Sequence, residues 1–243
     1  MRYLITFSYD GSKFYGYQKQ PKVNSIQEEI EKKLKQINSN VSVKIHASGR
    51  TDAKVHANNQ KAHFDLNIDI DENKLKNSLN KMLNEYIYIK KVEKVDNSFH
   101  ARFNVVKKKY IYKINLGEYN PIEYDYIYQY CKNLNIDKMN EATKYLIGEH
   151  NFKSFTKATD IKENYRRNIF EINIYLDKYL NIEFVGDGFM RYMVRNIVGT
   201  LIVVGESQIE PLKIKEILEK EDRKSAALTA PAMGLYLDNV YYK

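Results

Sequence analysis

The chain has 243 residues, of which 43% are hydrophobic and only four are proline, and this composition excludes a mainly disordered protein. Its 39 lysines and arginines outnumber its 31 aspartates and glutamates, giving a formal net charge of +8. A single cysteine excludes an internal disulfide framework and a cysteine-based zinc site. Asp10 interrupts the first apolar stretch too early for a secretory signal, and no apolar run approaches the roughly 20 residues that span a bilayer. We expect a soluble protein of the reducing cytoplasm.

The first part of the chain predicts strands and helices in alternation. Apolar alternation predicts a strand over residues 3–9, and the capping-box pattern from Ser25 to Glu28 predicts a helix that ends near Asn38. The same reasoning predicts strands over 41–47 and 60–66, a helix over 71–83 and a strand over 87–95.

A similar order of elements follows from residue 108. It comprises a strand over 108–116, a helix over 137–147 closed by Gly148, strands over 169–176 and 180–184, helices over 189–204 and 210–218, and a strand over 235–241. The repeated order predicts two α+β halves, residues 1–104 and 105–243, that share one continuous, mainly antiparallel sheet.

The loop from Ser48 to Asp52 lies between two predicted strands and is the first candidate site. Arg50 and Asp52 are two residues apart on a turn that contains a glycine. There a guanidinium can keep the carboxylate ionised and available as a nucleophile or base. The alternative is a salt bridge that only braces the loop, because surface arginine–aspartate pairs are common.

A second candidate cluster contains Arg191 and Arg195, which are four residues apart in a predicted helix. That spacing places both on one helical face. An inward-pointing arginine there needs a buried acid partner, and Asp52 is a candidate. The alternative is that both arginines are solvated.

Basic and aromatic residues occur together in two segments. Lys107, Lys108 and Lys109 precede Tyr110 and Tyr112, which share one face of a predicted strand. Such a face can stack an unpaired base beside a phosphate, although a half-buried core face is the alternative. The loop over residues 12–22, which includes Lys13, has the same mixture.

Other chemical signals are weak. The five histidines show no helical metal spacing, and no glycine-rich nucleotide-binding loop is present. We therefore expect neither a metal nor a cofactor.

Nine short motifs then occur in a characteristic order, at the following positions: Tyr9-Asp10-Gly11, Gly16-Tyr17-Gln18, Gly49 to Ala53, Val55-His56-Ala57, Phe99 to Arg102, Tyr110-Ile111-Tyr112, Gly148 to Phe152, Met193 to Gly199 and Gly234 to Leu237. In these motifs the chain resembles the tRNA pseudouridine synthase A (TruA) family from end to end. The resemblance implies an isomerase that converts uridine to pseudouridine at positions 38, 39 and 40 of the tRNA anticodon arm, without a cofactor.

The resemblance also implies roles for single residues. Asp52 corresponds to the nucleophile, Arg195 to its ion-pair partner, and Tyr110 to the ring that stacks on the target uracil. Arg50 would hold the place or the phosphate of the flipped nucleotide, and Leu235 would line the base pocket.

The family fold implies two ferredoxin-like halves that share one sheet, flanked by helices, with a basic cleft between them. Family members are homodimers, so tRNA and a second copy of the chain are the expected partners. Phosphate attraction in the cleft is assigned to five basic residues, Lys13, Lys54, Lys108, Lys109 and Arg191.

The sequence departs from the family pattern at two positions: Lys54 stands where glycine is usual, and Tyr17 stands where tryptophan is usual. Lysine disfavours a positive φ, so either the backbone at Lys54 is ordinary or the loop is slightly reshaped.

Two other functions remain as alternatives. One is a non-catalytic module that binds or folds tRNA and keeps the sheet and the basic cleft. The other is an RNA hydrolase that uses His56 or His63, for which the sequence offers no convincing acid–base pair.

Overall fold

The computed structural model describes residues 1–157, 159 and 163–243. The described residues form two compact units, one of residues 1–106 with 236–243 and the other of residues 107–235. The division predicted from sequence, 1–104 and 105–243, places the last residues of the chain in the second half. In the structure, residues 236–243 belong to the first unit, because Tyr236 and Leu237 pair in parallel with His56 and Ala57.

Strands and helices alternate through most of the described residues, as the sequence predicts. The strands are β1 Arg2–Tyr9, β2 His46–Ala47, β3 His56–Asp65, β4 Ile87–Val95, β5 Val105–Asn115, β6 Tyr128–Gln129, β7 Gly148–Asn151, β8 Arg166–Leu176, β9 Leu180–Gly186 and β10 Leu235–Tyr242. The α-helices are α1 Ile26–Ile37, α2 Glu72–Met82, α3 Ile136–Thr143, α4 Met193–Gly205 and α5 Lys213–Lys220. The predicted α+β class is confirmed.

In the first unit, the central strands are β1 and β3. Strand β1 pairs antiparallel with β4 on one side and with β3 on the other. The other edge of β3 is shared: His63 pairs with His46 of β2, whereas His56 pairs with Tyr236 of β10. The chain therefore leaves the sheet after Ala47 and returns at His56, and the segment between them is the candidate loop.

Helix α1 follows the predicted pattern. The Ser25 hydroxyl caps it by accepting a hydrogen bond from the Glu28 amide at 3.3 Å, and Ile26, Ile30 and Leu34 are fully buried on one face. The helix ends at Ile37, next to the predicted Asn38.

The strand predicted over residues 41–47 is largely wrong, because only His46 and Ala47 join the sheet. Ser39 and Asn40 turn the chain with positive φ values of 53° and 64°. After that turn the Ile45 amide donates to the Glu31 side chain at 3.2 Å, so this donor is satisfied by a helix side chain rather than by a neighbouring strand.

In the second unit, the strands follow the order β5, β9, β8, β7, with antiparallel neighbours, and the short β6 lies parallel to β5. Tyr110 and Tyr112 are buried on the same face of β5, as the alternation predicts. Helix α4 is buried along nearly its whole length, which fits its continuous apolar sequence.

Helix α4 begins four residues later than predicted, and this corrects the placement of one arginine. Tyr192 precedes the helix with φ 65°, a left-handed conformation that cannot continue a right-handed helix. Arg191 therefore lies outside α4, and the prediction that Arg191 and Arg195 share one helical face is wrong. Within the described part of the chain, no helix combines the length and apolar character that crossing a membrane requires.

The helix predicted over 137–147 is also shorter than expected. It ends at Thr143, and Lys144, Tyr145 and Leu146 form tighter i→i+3 hydrogen bonds before Gly148 turns the chain with φ 101°. Gly148 therefore starts β7 rather than closing the helix directly.

Tyr17 occupies a buried position beneath the candidate loop. Its amide donates to the Thr51 carbonyl at 3.1 Å, and its ring is only 2% exposed. Among the described residues, its hydroxyl has no hydrogen-bond partner. Burial, with Tyr9 and Glu31 nearby, raises the pKa of this hydroxyl well above its usual value, so the group stays neutral.

We expect Tyr17→Phe to keep or raise stability, by up to about 1 kcal/mol, because it removes a buried hydroxyl that has no partner. Tyr112→Phe is the matched comparison, since the fully buried Tyr112 donates to the Pro231 carbonyl at 2.6 Å. It should lower stability by about 1 kcal/mol. Thermal melts of both variants measure the difference, and equal losses would contradict this account of Tyr17.

Candidate active site

The loop over residues 48–55 presents three candidate residues. Asp52 is half-buried, while Arg50 and Lys54 are exposed on either side of it. The Val55 amide donates to the Asp52 carbonyl at 3.2 Å, which closes a tight turn around the carboxylate-bearing residue. Asp52 therefore lies on a defined turn, with an exposed cationic residue two positions before it and another two positions after it in the sequence.

Two glycines let neighbouring backbone approach this turn. A Cβ atom on Gly11 would lie 2.0 Å from the Val55 carbonyl oxygen, so no side chain fits there. Gly16 has φ 97°, and a Cβ atom on it would lie 3.2 Å from both the Thr51 oxygen and the Ala53 nitrogen. These contacts give the Tyr9-Asp10-Gly11 and Gly16-Tyr17-Gln18 motifs a structural reason.

Lys54 adopts φ 65°, inside the left-handed region. Of the two alternatives left open by the sequence, an ordinary backbone is therefore wrong. The lysine keeps the conformation that glycine favours, at a cost of about 1–2 kcal/mol. Lys54 adds a second exposed cation to the loop, two residues after Asp52.

The other proposed substrate residues belong to the second unit. Tyr110 is 8% exposed, and the ring of Phe189 contacts its ring edge to face at a centroid distance of 5.2 Å. Leu235 is almost fully buried at the start of β10. Gly234 before it packs so closely that a Cβ atom would lie 2.8 Å from the Lys113 carbonyl oxygen.

Arg195 lies in the first turn of α4 and is held from two directions. Its Nε donates to the Ala230 carbonyl at 2.8 Å, and the Ala230 amide donates back to the Arg195 carbonyl at 3.1 Å. The guanidinium carbon also lies 5.0 Å from the centre of the Tyr192 ring. These contacts orient the guanidinium group relative to the helix.

The proposed RNA-binding residues differ in their surroundings. Lys13 and Arg191 are exposed and lie against tyrosine rings, at 5.7 Å from Tyr86 and 5.2 Å from Tyr192, respectively. Lys109 forms a 2.8 Å ion pair with Glu183, which makes it a weaker phosphate ligand than its sequence suggests. Lys108 is half-buried on the same strand.

The two histidines of the hydrolase alternative are buried. His56 stacks on Tyr236 at 4.7 Å, and its Nδ1 accepts the Gly11 amide at 3.1 Å. His63 accepts the Ala101 amide at 3.1 Å, and burial together with the nearby His100 lowers the pKa of His63 to about 4. Both rings bond backbone amides in the core, which favours structural roles over acid–base catalysis.

Among the residues that the structure describes, no group of three histidine, cysteine, aspartate or glutamate side chains is arranged to hold a metal ion.

The site residues that the sequence missed are Tyr192, Gln60 and the hydroxyl of Tyr9. Gln60 lies among the polar residues Asn58, Asn59 and Lys61 of its strand, so no signal in the sequence sets it apart.

Comparison with known proteins agrees with the residue pattern. A family profile described as tRNA pseudouridine synthase matches residues 5–104 and 142–243. The chain is 43% identical over 243 residues to tRNA pseudouridine synthase A 1 of Bacillus cereus, covering 99% of this chain and 98% of that protein. It is 44% identical over 247 residues to tRNA pseudouridine synthase A of Thermosipho melanesiensis, covering 99% of each.

A third relative, tRNA pseudouridine synthase A of Listeria monocytogenes, is 42% identical over 246 residues, covering 100% of this chain and 99% of that protein. The matches extend over both structural units and include the loop that carries Asp52. The chain therefore belongs to the tRNA pseudouridine synthase family and is an isomerase that acts on tRNA.

Proposed function

We propose that the enzyme converts uridine to pseudouridine at positions 38, 39 and 40 of the tRNA anticodon arm, with Asp52 as the nucleophile. The observation that carries this proposal is the half-buried Asp52 on its anchored turn, between the exposed Arg50 and Lys54. A carboxylate in that setting is accessible to a substrate while cations attract the phosphates around it.

The reaction needs no external reactant. The N1–C1′ glycosidic bond of uridine breaks, the uracil turns, and C5 bonds to C1′, while the proton on C5 is lost and N1 gains one. A single carboxylate can support this rearrangement by attack on the sugar or the ring, or by taking the 2′ proton. Metal and cofactor are therefore unnecessary to the proposal.

The remaining roles in the proposal fall to Arg195, Tyr110 and Leu235 of the second unit and to Arg50 of the first. A guanidinium beside a carboxylate keeps it ionised at neutral pH, and we assign this role to Arg195, whose orientation Ala230 fixes. Tyr110 stacks on the flipped uracil and Leu235 lines its pocket. Arg50 holds the place or the phosphate of the flipped nucleotide. Unstacking costs a few kcal/mol, and stacking on Tyr110 offsets part of that cost.

The proposal extends to fold and assembly. Two ferredoxin-like halves would share one sheet around a basic cleft, and two copies of the chain would form a homodimer in the cytoplasm. Within the first unit, the order β4, β1, β3, β2 with antiparallel neighbours supports the ferredoxin-like arrangement. The cleft would collect the phosphate contacts of Lys13, Lys54, Lys108, Lys109 and Arg191, with RNA shape selecting among neighbouring uridines.

Asp52→Asn should abolish turnover and leave tRNA affinity within a few-fold, because the carboxylate is assigned to chemistry rather than to binding. The measurement is tritium release from [5-³H]uridine-labelled tRNA transcripts in EDTA, followed by mapping of the modified position. Asp71→Asn is the control, since asparagine also caps the helix that Asp71 caps. Persisting release in Asp52→Asn would remove Asp52 as nucleophile, and release from another arm of the tRNA would overturn the positional assignment.

Tyr110→Phe should retain most activity, whereas Tyr110→Ala should lose it by about tenfold to hundredfold, because a base gains about 1–3 kcal/mol from an aromatic partner. Single-turnover rates of both variants provide the measurement. Similar rates for Tyr110→Ala and the unmodified enzyme would exclude Tyr110 from the site.

Lys54→Asn should weaken tRNA binding without destabilising the fold, because asparagine tolerates the left-handed φ of 65°. If Lys54 contacts one phosphate, the slope of log affinity against log salt should fall by about one. Binding titrations at several salt concentrations measure this slope, with Lys81→Asn, at an exposed position of α2, as the control. Equal slopes for the two variants would exclude a phosphate contact by Lys54.

A further inference from the structure

Two buried polar side chains under the candidate loop have no assigned role. The first is Gln60 of β3, which is fully buried. Its Oε1 accepts the Ser48 hydroxyl at 2.6 Å, and its Nε2 donates to the Gly49 carbonyl at 3.0 Å. One amide group thus holds two consecutive loop residues immediately before Arg50.

The second is Tyr9, at the end of β1. Its hydroxyl lies 2.8 Å from the Thr51 hydroxyl, and the Gln60 side chain interacts with it as well. Burial raises the pKa of Tyr9 to about 12, so the phenol stays protonated at neutral pH. Tyr9 therefore holds Thr51, the residue that directly precedes Asp52. Gln60 holds Ser48 and Gly49 in the same loop.

The chemistry of these contacts explains the amide at position 60. Gln60 must accept a hydrogen bond from Ser48 and donate one to Gly49, which neither a carboxylate nor an aliphatic side chain can do. The side chains of Ser48, Gln60, Tyr9 and Thr51 are buried, so leaving one of their polar groups unpaired costs about 1–3 kcal/mol. These hydrogen bonds therefore favour one conformation of the loop.

We propose that Tyr9 and Gln60 are positioning residues for the isomerisation, fixing the backbone on both sides of Arg50 and thereby the direction of the Asp52 carboxylate. This inference rests on the proposed role of Asp52. The two side chains lie below the loop and act through Ser48, Gly49 and Thr51, without touching the substrate. A misplacement of about 1 Å at a reacting group can cost a hundredfold in rate.

Tyr9→Phe is the direct test because it removes one hydroxyl and keeps the ring. Tyr3→Phe is a closely matched control: Tyr3 is fully buried on the same strand, and its hydroxyl accepts the Ile70 amide at 2.8 Å, away from the loop. Both variants should melt at lower temperature than the unmodified enzyme. Only Tyr9→Phe should lose single-turnover rate, by about tenfold to hundredfold, with the tRNA dissociation constant within about twofold.

A rate for Tyr9→Phe equal to that of Tyr3→Phe would overturn the inference, as would a rate loss matched by an equal loss of tRNA affinity. Thr51→Val removes the partner hydroxyl and provides the test if Tyr9→Phe does not fold. Where both fold, the two variants should give non-additive rate losses when combined, since they break the same hydrogen bond.

Asp52→Asn, measured in parallel, separates this inference from the proposed function. If Asp52→Asn is active, the assignment of the nucleophile fails, whatever Tyr9→Phe does. If Asp52→Asn is inactive and Tyr9→Phe retains the full rate, the nucleophile stands and the positioning role of Tyr9 is wrong.

Discussion

The contact between Gly11 and the Val55 carbonyl is the constraint on which the candidate active site in the first unit depends. The two backbones approach so closely that a Cβ atom on Gly11 would overlap the carbonyl oxygen. This contact fixes the end of the loop against the turn that follows β1, and the Gly11 amide then meets His56 Nδ1 at the first residue of β3. The position of Asp52 therefore follows from backbone packing as well as from its own turn.

Both candidate clusters contain a non-glycine residue in the left-handed region. Lys54 follows Asp52 by two residues, and Tyr192 precedes Arg195 by three. Such conformations cost free energy and persist only where surrounding contacts enforce them. At Tyr192 the enforcing contacts include the hydrogen bond from the Asn196 amide to its carbonyl and the two guanidinium groups against its ring. The strain sets where α4 starts and hence where Arg195 points.

In the second unit, the contact between Arg195 and Ala230 is next to a network of hydrogen bonds around Asn196. The Asn196 side chain, fully buried beside Arg195, donates to the Phe155 carbonyl at 2.6 Å and accepts the Thr229 hydroxyl at 2.6 Å. Arg223 donates to the same Asn196 oxygen at 3.1 Å. This network ties the segment before β10 to the first turn of α4, so the Arg195–Ala230 contact is one part of a connected, partly buried set of hydrogen bonds.

The sequence by itself determined the α+β class, the order of most elements, the family and the residues on which chemistry is expected, because alternation, capping and ordered motifs are local signals. Strand β4 and helix α1 were predicted almost residue for residue. Tertiary structure alone decided the pairing of β10 with β3, the displaced start of α4 and the positive φ of Lys54. It also decided the hydrogen-bond partners of Tyr9 and Gln60, since a buried hydroxyl or amide acquires its partner only when residues far apart in sequence, such as Tyr9 and Thr51, are brought together.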